Sequence, residues 1–230
     1  MIVQSPLGRD FARINQMQQH LPAAVAVLLG LLALAAAAMP DLWRLTTHVN
    51  TIAHEGMHAT VASALGFKIT GITMERNGNG LTRVLVAGKS NEFLIALAGY
   101  LGPSAFGLLA AKLIQVGHAI VVLWLSMLLI VSMLAMIRRS FGVITVLAAG
   151  AGLYLVLGYG SVGAQVTTAY LVAWFLLLSG IRTASEVRRV KGRTDADALR
   201  DLTQIPRGFW PLLWMLMTFC AGVLGAVLLV

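Results

Sequence analysis

A glutamate between two histidines, in the order His54-Glu55-x-x-His58, is the arrangement of this chain whose residue types and spacing suit catalysis. On a helix, residues four apart stack on one face. Both imidazoles can therefore hold one zinc ion, with Glu55 placed to take a proton from a zinc-activated water. At about 100° per residue, Thr47, Asn50, Thr51, His54, Glu55 and His58 fall within roughly 140° of arc. They form one polar stripe on an otherwise apolar segment running from about Leu42 to Leu65. In a soluble chain so short a pattern is as readily accidental as functional. Inside a membrane span each ionisable group costs about 2.5–3.5 kcal/mol on insertion scales, so such groups are rare and usually functional. The bland alternative is a stripe that only packs three ionisable side chains into a bundle interior, but His, Glu and His at this spacing are what a zinc hydrolase needs.

The elements that must position this triplet follow from composition. Of 230 residues, 58% are hydrophobic and 11% charged, with mean hydropathy +0.83. A soluble domain would carry about a quarter charged residues. The chain reads as an all-α polytopic membrane protein, a single integral-membrane domain over residues 1–230, with the lipid bilayer as its surroundings. The lone Cys220 excludes an internal disulfide framework and a cysteine-rich zinc site. A net charge of +8 raises a nucleic-acid reading. The basic residues sit in short loops, however, and membrane orientation accounts for them better.

In chain order, residues 1–20 are polar and Leu21 to Pro40 is an uncharged run long enough to span a bilayer. Ala35-Ala36-Ala37-Ala38 imitates a signal-peptidase site, but the polar head is long and the apolar run full-length, so a retained anchor is expected. The His-Glu-His span follows, from about Leu42 to Leu65. Residues 67–88 change character: β-branched Lys68–Met74, a turn at Asn77-Gly78-Asn79-Gly80 and a returning Leu81–Val86 predict a β-hairpin. Bare strand edges do not survive in lipid, so this hairpin must be paired, buried or interfacial. Spans at about 92–116, 118–137, 141–158 and 163–181 come next, then a polar loop at about 182–208 and a last span at about 209–229. The expectation is about seven transmembrane helices with one inserted hairpin. With the N-terminus cytoplasmic, the hairpin and the long loop share its side. Fifteen of the 17 Lys and Arg then lie inside, leaving Arg44 and Lys112 outside.

A catalytic zinc usually has three protein ligands and water. Candidates for the third are few, since the chain contains only five Asp and four Glu. Asp10 precedes the first span, and Asp41 lies on the outer side, about 20 Å along a helix from His54. Glu75 is on the hairpin and Glu186 among basic residues. Glu92, at the opening of the third span, and the acids of Thr194-Asp195-Ala196-Asp197 remain. Thr194 can cap a short helix with Asp195 and Asp197 in its first turn, where negative charge complements the dipole. His48 lies about 120° from His54 on the wheel and His118 at the outer end of a span, so both read as packed or interfacial. Asn50, one turn before His54, reads as orienting a ligand or lining the cavity.

Together these residues resemble the site-2-protease-type membrane zinc metallopeptidases, in their compact bacterial branch. The resemblance rests on His54-Glu55-x-x-His58 in a span, the hairpin after it, Gly99-x-x-Gly102-Pro103, and Asp195-Ala196-x-x-Leu199-x-x-x-Thr203-x-Ile205-Pro206. It implies Zn2+ held by His54, His58 and Asp195, Glu55 as catalytic base, and a membrane-spanning protein as substrate. It also implies a multi-pass location in a bacterial inner membrane. Better-known members carry the aspartate in an Asp-Gly pair, which this chain lacks, so Glu92 and Asp197 stay open as third ligand. The expected function is an intramembrane zinc metalloprotease. The competing classes are a transporter, which should show repeated or broken-helix halves, and a non-catalytic membrane scaffold.

Overall fold

The computed structural model describes residues 13–189 and 192–230, so Arg9, Asp10 and Lys191 lie outside the described residues. Helices α1 (Ala23–Ala38) and α2 (Pro40–Ala64) come first, then strands β1 (Lys68–Met74) and β2 (Gly80–Leu85). Helices α3 (Lys89–Gln115), α4 (Ala119–Met136), α5 (Ser140–Tyr159), α6 (Val162–Glu186), α7 (Asp195–Thr203) and α8 (Phe209–Leu229) complete the described chain. Five helices are long and apolar enough to cross a membrane: α3, α4, α5, α8, and α6 with the 3-10 turn that extends it to Arg189.

The expected first two spans are not two straight crossings. Helices α1 and α2 meet at a bend of 98°. Pro40 opens α2 at its first turn, where a residue without an N–H and with φ already fixed fits well. The 16 residues of α1 reach only about 24 Å, short of the ~30 Å hydrocarbon thickness. Counted as one broken span, the pair brings the total to six rather than seven.

The contacts at the two ends of α1 show where the chain enters the bundle. Before α1, the Gln18 N–H donates to Gly117 O at 2.8 Å and Gln18 Oε1 accepts from the Ile120 N–H at 3.1 Å. This segment therefore sits at the α3–α4 turn. At the other end of α1, the Arg182 guanidinium donates to Ala37 O and Ala38 O and stacks on Trp43. Helices α1 and α6 run parallel, and the chain from Arg13 enters at the end of the bundle opposite the hairpin. It does not share the hairpin's side, as the seven-span count required. Arg44, beside Trp43, moves toward the hairpin end while Arg13 leaves it, so the basic excess at that end survives.

Helix α6 lies at the centre, with Tyr170, Ala173 and Leu177 fully buried. Glycines let its neighbours close in. A Cβ at Gly107 would lie 2.9 Å from Leu177, and one at Gly180 or Gly225 would overlap Ser104 or Leu177. Without water to drive association, membrane helices depend on such close contact.

The hairpin pairs antiparallel from Lys68↔Leu85 to Met74↔Gly80. Its turn is closed by Asn77 Oδ1, which accepts from the Asn79 N–H at 2.9 Å, and by Gly78 at φ 87°. The outer edge of β1 is occupied, because Ile72 bridges Ile137 and Ile72 O accepts from the Arg138 N–H at 2.9 Å. Ile72 and Met74 are buried against Met133, Ile137 and Val146. Strand β2 lies over α2 and lines the cavity at the candidate site.

Candidate metal centre

The polar stripe of α2 faces inward. Thr47, Asn50, Thr51, Glu55 and His58 are buried and His54 is partly buried. Together with β2, α3 and α7 they line a cavity of about 940 Å³. Gly99 of α3 lies directly under the imidazoles. A Cβ there would overlap His58 Nε2 and stand 2.8 Å from His54 Cε1. Gly102, one turn on, lets α3 approach the backbone of Ala53. The sequence reading took these two glycines for close helix contact, and Gly99 in addition makes room for the histidines.

Among the described residues, His54, His58 and Asp195 form the one cluster of three or more His, Cys, Asp or Glu whose ligand atoms converge. His58 Nε2 is 3.2 Å from His54 Nε2, Asp195 Oδ2 is 3.4 Å from His54 Nε2, and Asp195 Oδ2 is 3.2 Å from His58 Nε2. The Ile95 carbonyl, 2.8 Å from His58 Nδ1, can only accept, so Nδ1 carries a hydrogen. In a neutral ring that leaves a lone pair on Nε2. Three donor atoms facing one another at this range could hold one cation between them. A tetrahedral zinc with ligands at 2.0–2.1 Å separates its donors by about 3.3 Å, which is the size of the observed triangle. The donor set, the spacing and the fixed His58 tautomer all fit a zinc ion.

Asp195 arrives from the opposite end of the chain. Helix α7 starts at Asp195 behind a capping box, in which Asp197 Oδ2 accepts from the Thr194 N–H at 3.0 Å and its hydroxyl at 2.9 Å. Ala196 and Leu199 are buried with Trp210 and Trp214 of α8, which press α7 onto the bundle. Burial pushes the Asp195 carboxyl up, but the two imidazoles outweigh this and hold it well below the usual carboxylate range. Burial pushes Asp197 up too, and the Thr194 hydrogen bonds, then Arg207 and Arg200, bring it below its ordinary value. Asp197 is thus occupied with the cap and with Arg207 at 3.2 Å. Glu92 lines the same cavity but stands outside the converging group. The capping reading of this motif is met by Asp197, while Asp195 stands beside the two imidazoles.

Glu55 is 2% exposed. Its Oε2 accepts from the Thr82 hydroxyl at 2.7 Å, and the Thr51 hydroxyl donates to Gly78 O at 2.6 Å. The hairpin turn is thereby tied onto the stripe. Tyr100 packs edge-on against His54 at 4.7 Å and stacks on Trp214 at 4.4 Å. Sequence reasoning missed Thr82 and Tyr100, and its only available signal for Thr82 was the alternation of β2, which turns Thr82 inward between exposed Leu81 and Arg83. His48 packs against Phe141 and His118 caps α4, both away from the cluster. Asn50 lines the cavity with its buried Oδ1 unpaired.

A family model described as Peptidase M50B-like matches residues 26–225 of this chain. No curated protein and no solved structure matches it.

Proposed function

The chain belongs to the Peptidase M50B-like family, the site-2-protease family, and from that premise we propose that it is an intramembrane zinc metalloprotease cutting membrane-spanning proteins. The observation that carries this reading is the convergence of His54, His58 and Asp195 in a cavity shared with Glu55. His54 Nε2, His58 Nε2 and Asp195 Oδ2 are the proposed ligands. When bound, zinc supplies Lewis-acid polarisation and brings the acidity of water toward neutral pH.

The chain's own residues do the rest. Ile95 fixes the His58 ring by accepting from Nδ1, so the Nε2 lone pair points into the site. Glu55 takes the proton of the attacking water on its carboxylate and returns it to the leaving amine nitrogen. A helical substrate hides its carbonyls in backbone hydrogen bonds and must unwind before attack. Strand β2 supports that step, because β1 is already paired on its far side by Ile137 and Arg138 while β2 borders the cavity. An unwound segment would add to β2 through main-chain hydrogen bonds. The basic hairpin end is the proposed cytoplasmic side of a bacterial inner membrane, with the whole chain acting as one protease unit.

Zinc content and cleavage of Glu55→Gln test this. The variant should keep about one zinc per chain and lose about 10²–10⁴-fold in rate. Parent-like cleavage would refute the proposal.

A further inference from the structure

We infer that Thr82 is a positioning residue for Glu55, so that the hairpin is a working part of the active site as well as a ledge for substrate. This inference rests on the proteolytic reading above. Three observations carry it. The Thr82 hydroxyl donates to Glu55 Oε2 at 2.7 Å and lies 3.3 Å from Glu55 O, so it reaches both the carboxylate and the backbone of one residue. Gly80, two residues earlier on the same strand, lies so close that any Cβ would overlap Glu55 Oε1, Cγ and Cδ. Finally, the turn between the strands is held to α2 by Thr51 through Gly78 O.

A hydrogen bond to an ionised acceptor is roughly twice as strong as one between neutral groups. Its loss leaves one oxygen of a buried carboxylate without its donor, which is costly. Oε2 of Glu55 is therefore anchored to the hairpin, and Oε1 is the atom proposed to exchange the proton. The glycine at 80 keeps the strand close enough for that bond. A side chain there would push the base away from Thr82. Strand pairing carries the effect further: Thr82 pairs with Ile72, which is itself locked to Ile137. The base is thus referenced to the hairpin as well as to its own helix. A substrate strand adding to β2 would dock on the same element that holds Glu55, so binding and base alignment share one scaffold.

The test uses the full chain in detergent micelles, as parent, Thr82→Val, Thr82→Ser and Glu55→Gln. Valine keeps the β-branched shape a strand prefers but cannot donate. Zinc per chain is measured in each. Two further readouts follow: affinity for acetohydroxamate, which binds a metal through two oxygens and gives its proton to a neighbouring carboxylate, and kcat and KM on dye-quenched casein, an unfolded substrate. Thr82→Val should hold zinc like the parent, lose about ten-fold or more in kcat and in hydroxamate affinity, and keep its KM. Thr82→Ser should restore both. Thr82→Val with parent kcat and parent hydroxamate affinity, beside an inactive Glu55→Gln, overturns the role of Thr82 and leaves the protease standing. Loss in Thr82→Val that Thr82→Ser fails to rescue overturns it too, since the hydroxyl is then not what matters. A parent that binds neither zinc nor hydroxamate, or a Glu55→Gln variant that cleaves like the parent, overturns the proteolytic reading itself.

Discussion

Adding one methyl group at Gly99 should dismantle the proposed metal centre without replacing a ligand. In Gly99→Ala the new Cβ would overlap His58 Nε2 and stand 2.8 Å from His54 Cε1, where ordinary contact begins at 3.4 Å. His58 cannot retreat freely, because its Nδ1 is held 2.8 Å from Ile95 O, itself on α3 one turn from the substitution. Moving α3 instead would open the contact between Gly102 and α2. Overpacking of this kind costs about 1–3 kcal/mol, and metal ligands tolerate only about ±0.2 Å. If that cost falls on the bound geometry, zinc affinity drops about 5–150-fold. The assay is competition for zinc against a chromophoric chelator, with circular dichroism to check helix content. Parent-like affinity in a folded Gly99→Ala would show that the histidines do not meet over this glycine.

Asp195→Asn should weaken both zinc retention and cleavage, because a neutral amide is a poorer ligand for a cation; full metal and full activity would leave Asp195 as a capping acid alone. Asp197 should make the docking of α7 sensitive to acid. Its folded value lies below the ordinary one, so its contribution is complete above the unfolded value of about 3.9 and is lost as pH falls through the folded value. Fluorescence of Trp210 and Trp214, which pack on α7, should report the release in that acid window, and Asp197→Asn should remove the dependence. With Cys220 replaced, single cysteines at Gln16 and Asn79 should label from opposite sides of the membrane. Labelling of both from one side would refute the broken first span.

The pairing of His54 with His58 was legible in the sequence because the α-helix is local: its period alone stacks residues four apart. The hairpin was legible for a similar reason, since Asn77-Gly78-Asn79-Gly80 between β-branched runs encodes its own turn. Apolar length alone gave most of the spans. What escaped was whatever depends on distant segments meeting. Neither spacing nor composition ranks Asp195 above Glu92 or Asp197. Only the packing of Ala196 and Leu199 under Trp210 and Trp214 brings the start of α7 to the imidazoles. The 98° bend between α1 and α2 escaped as well, because hydropathy measures how apolar a run is and carries no direction. Direction came from Arg182 closing the end of α1 and Gln18 reaching Gly117. Thr82 and Gly99 are ordinary residues in sequence, and what each does is set by which side chain of α2 stands opposite. That is decided by tertiary packing, because a hydroxyl or a missing Cβ acts only across a few ångströms of space.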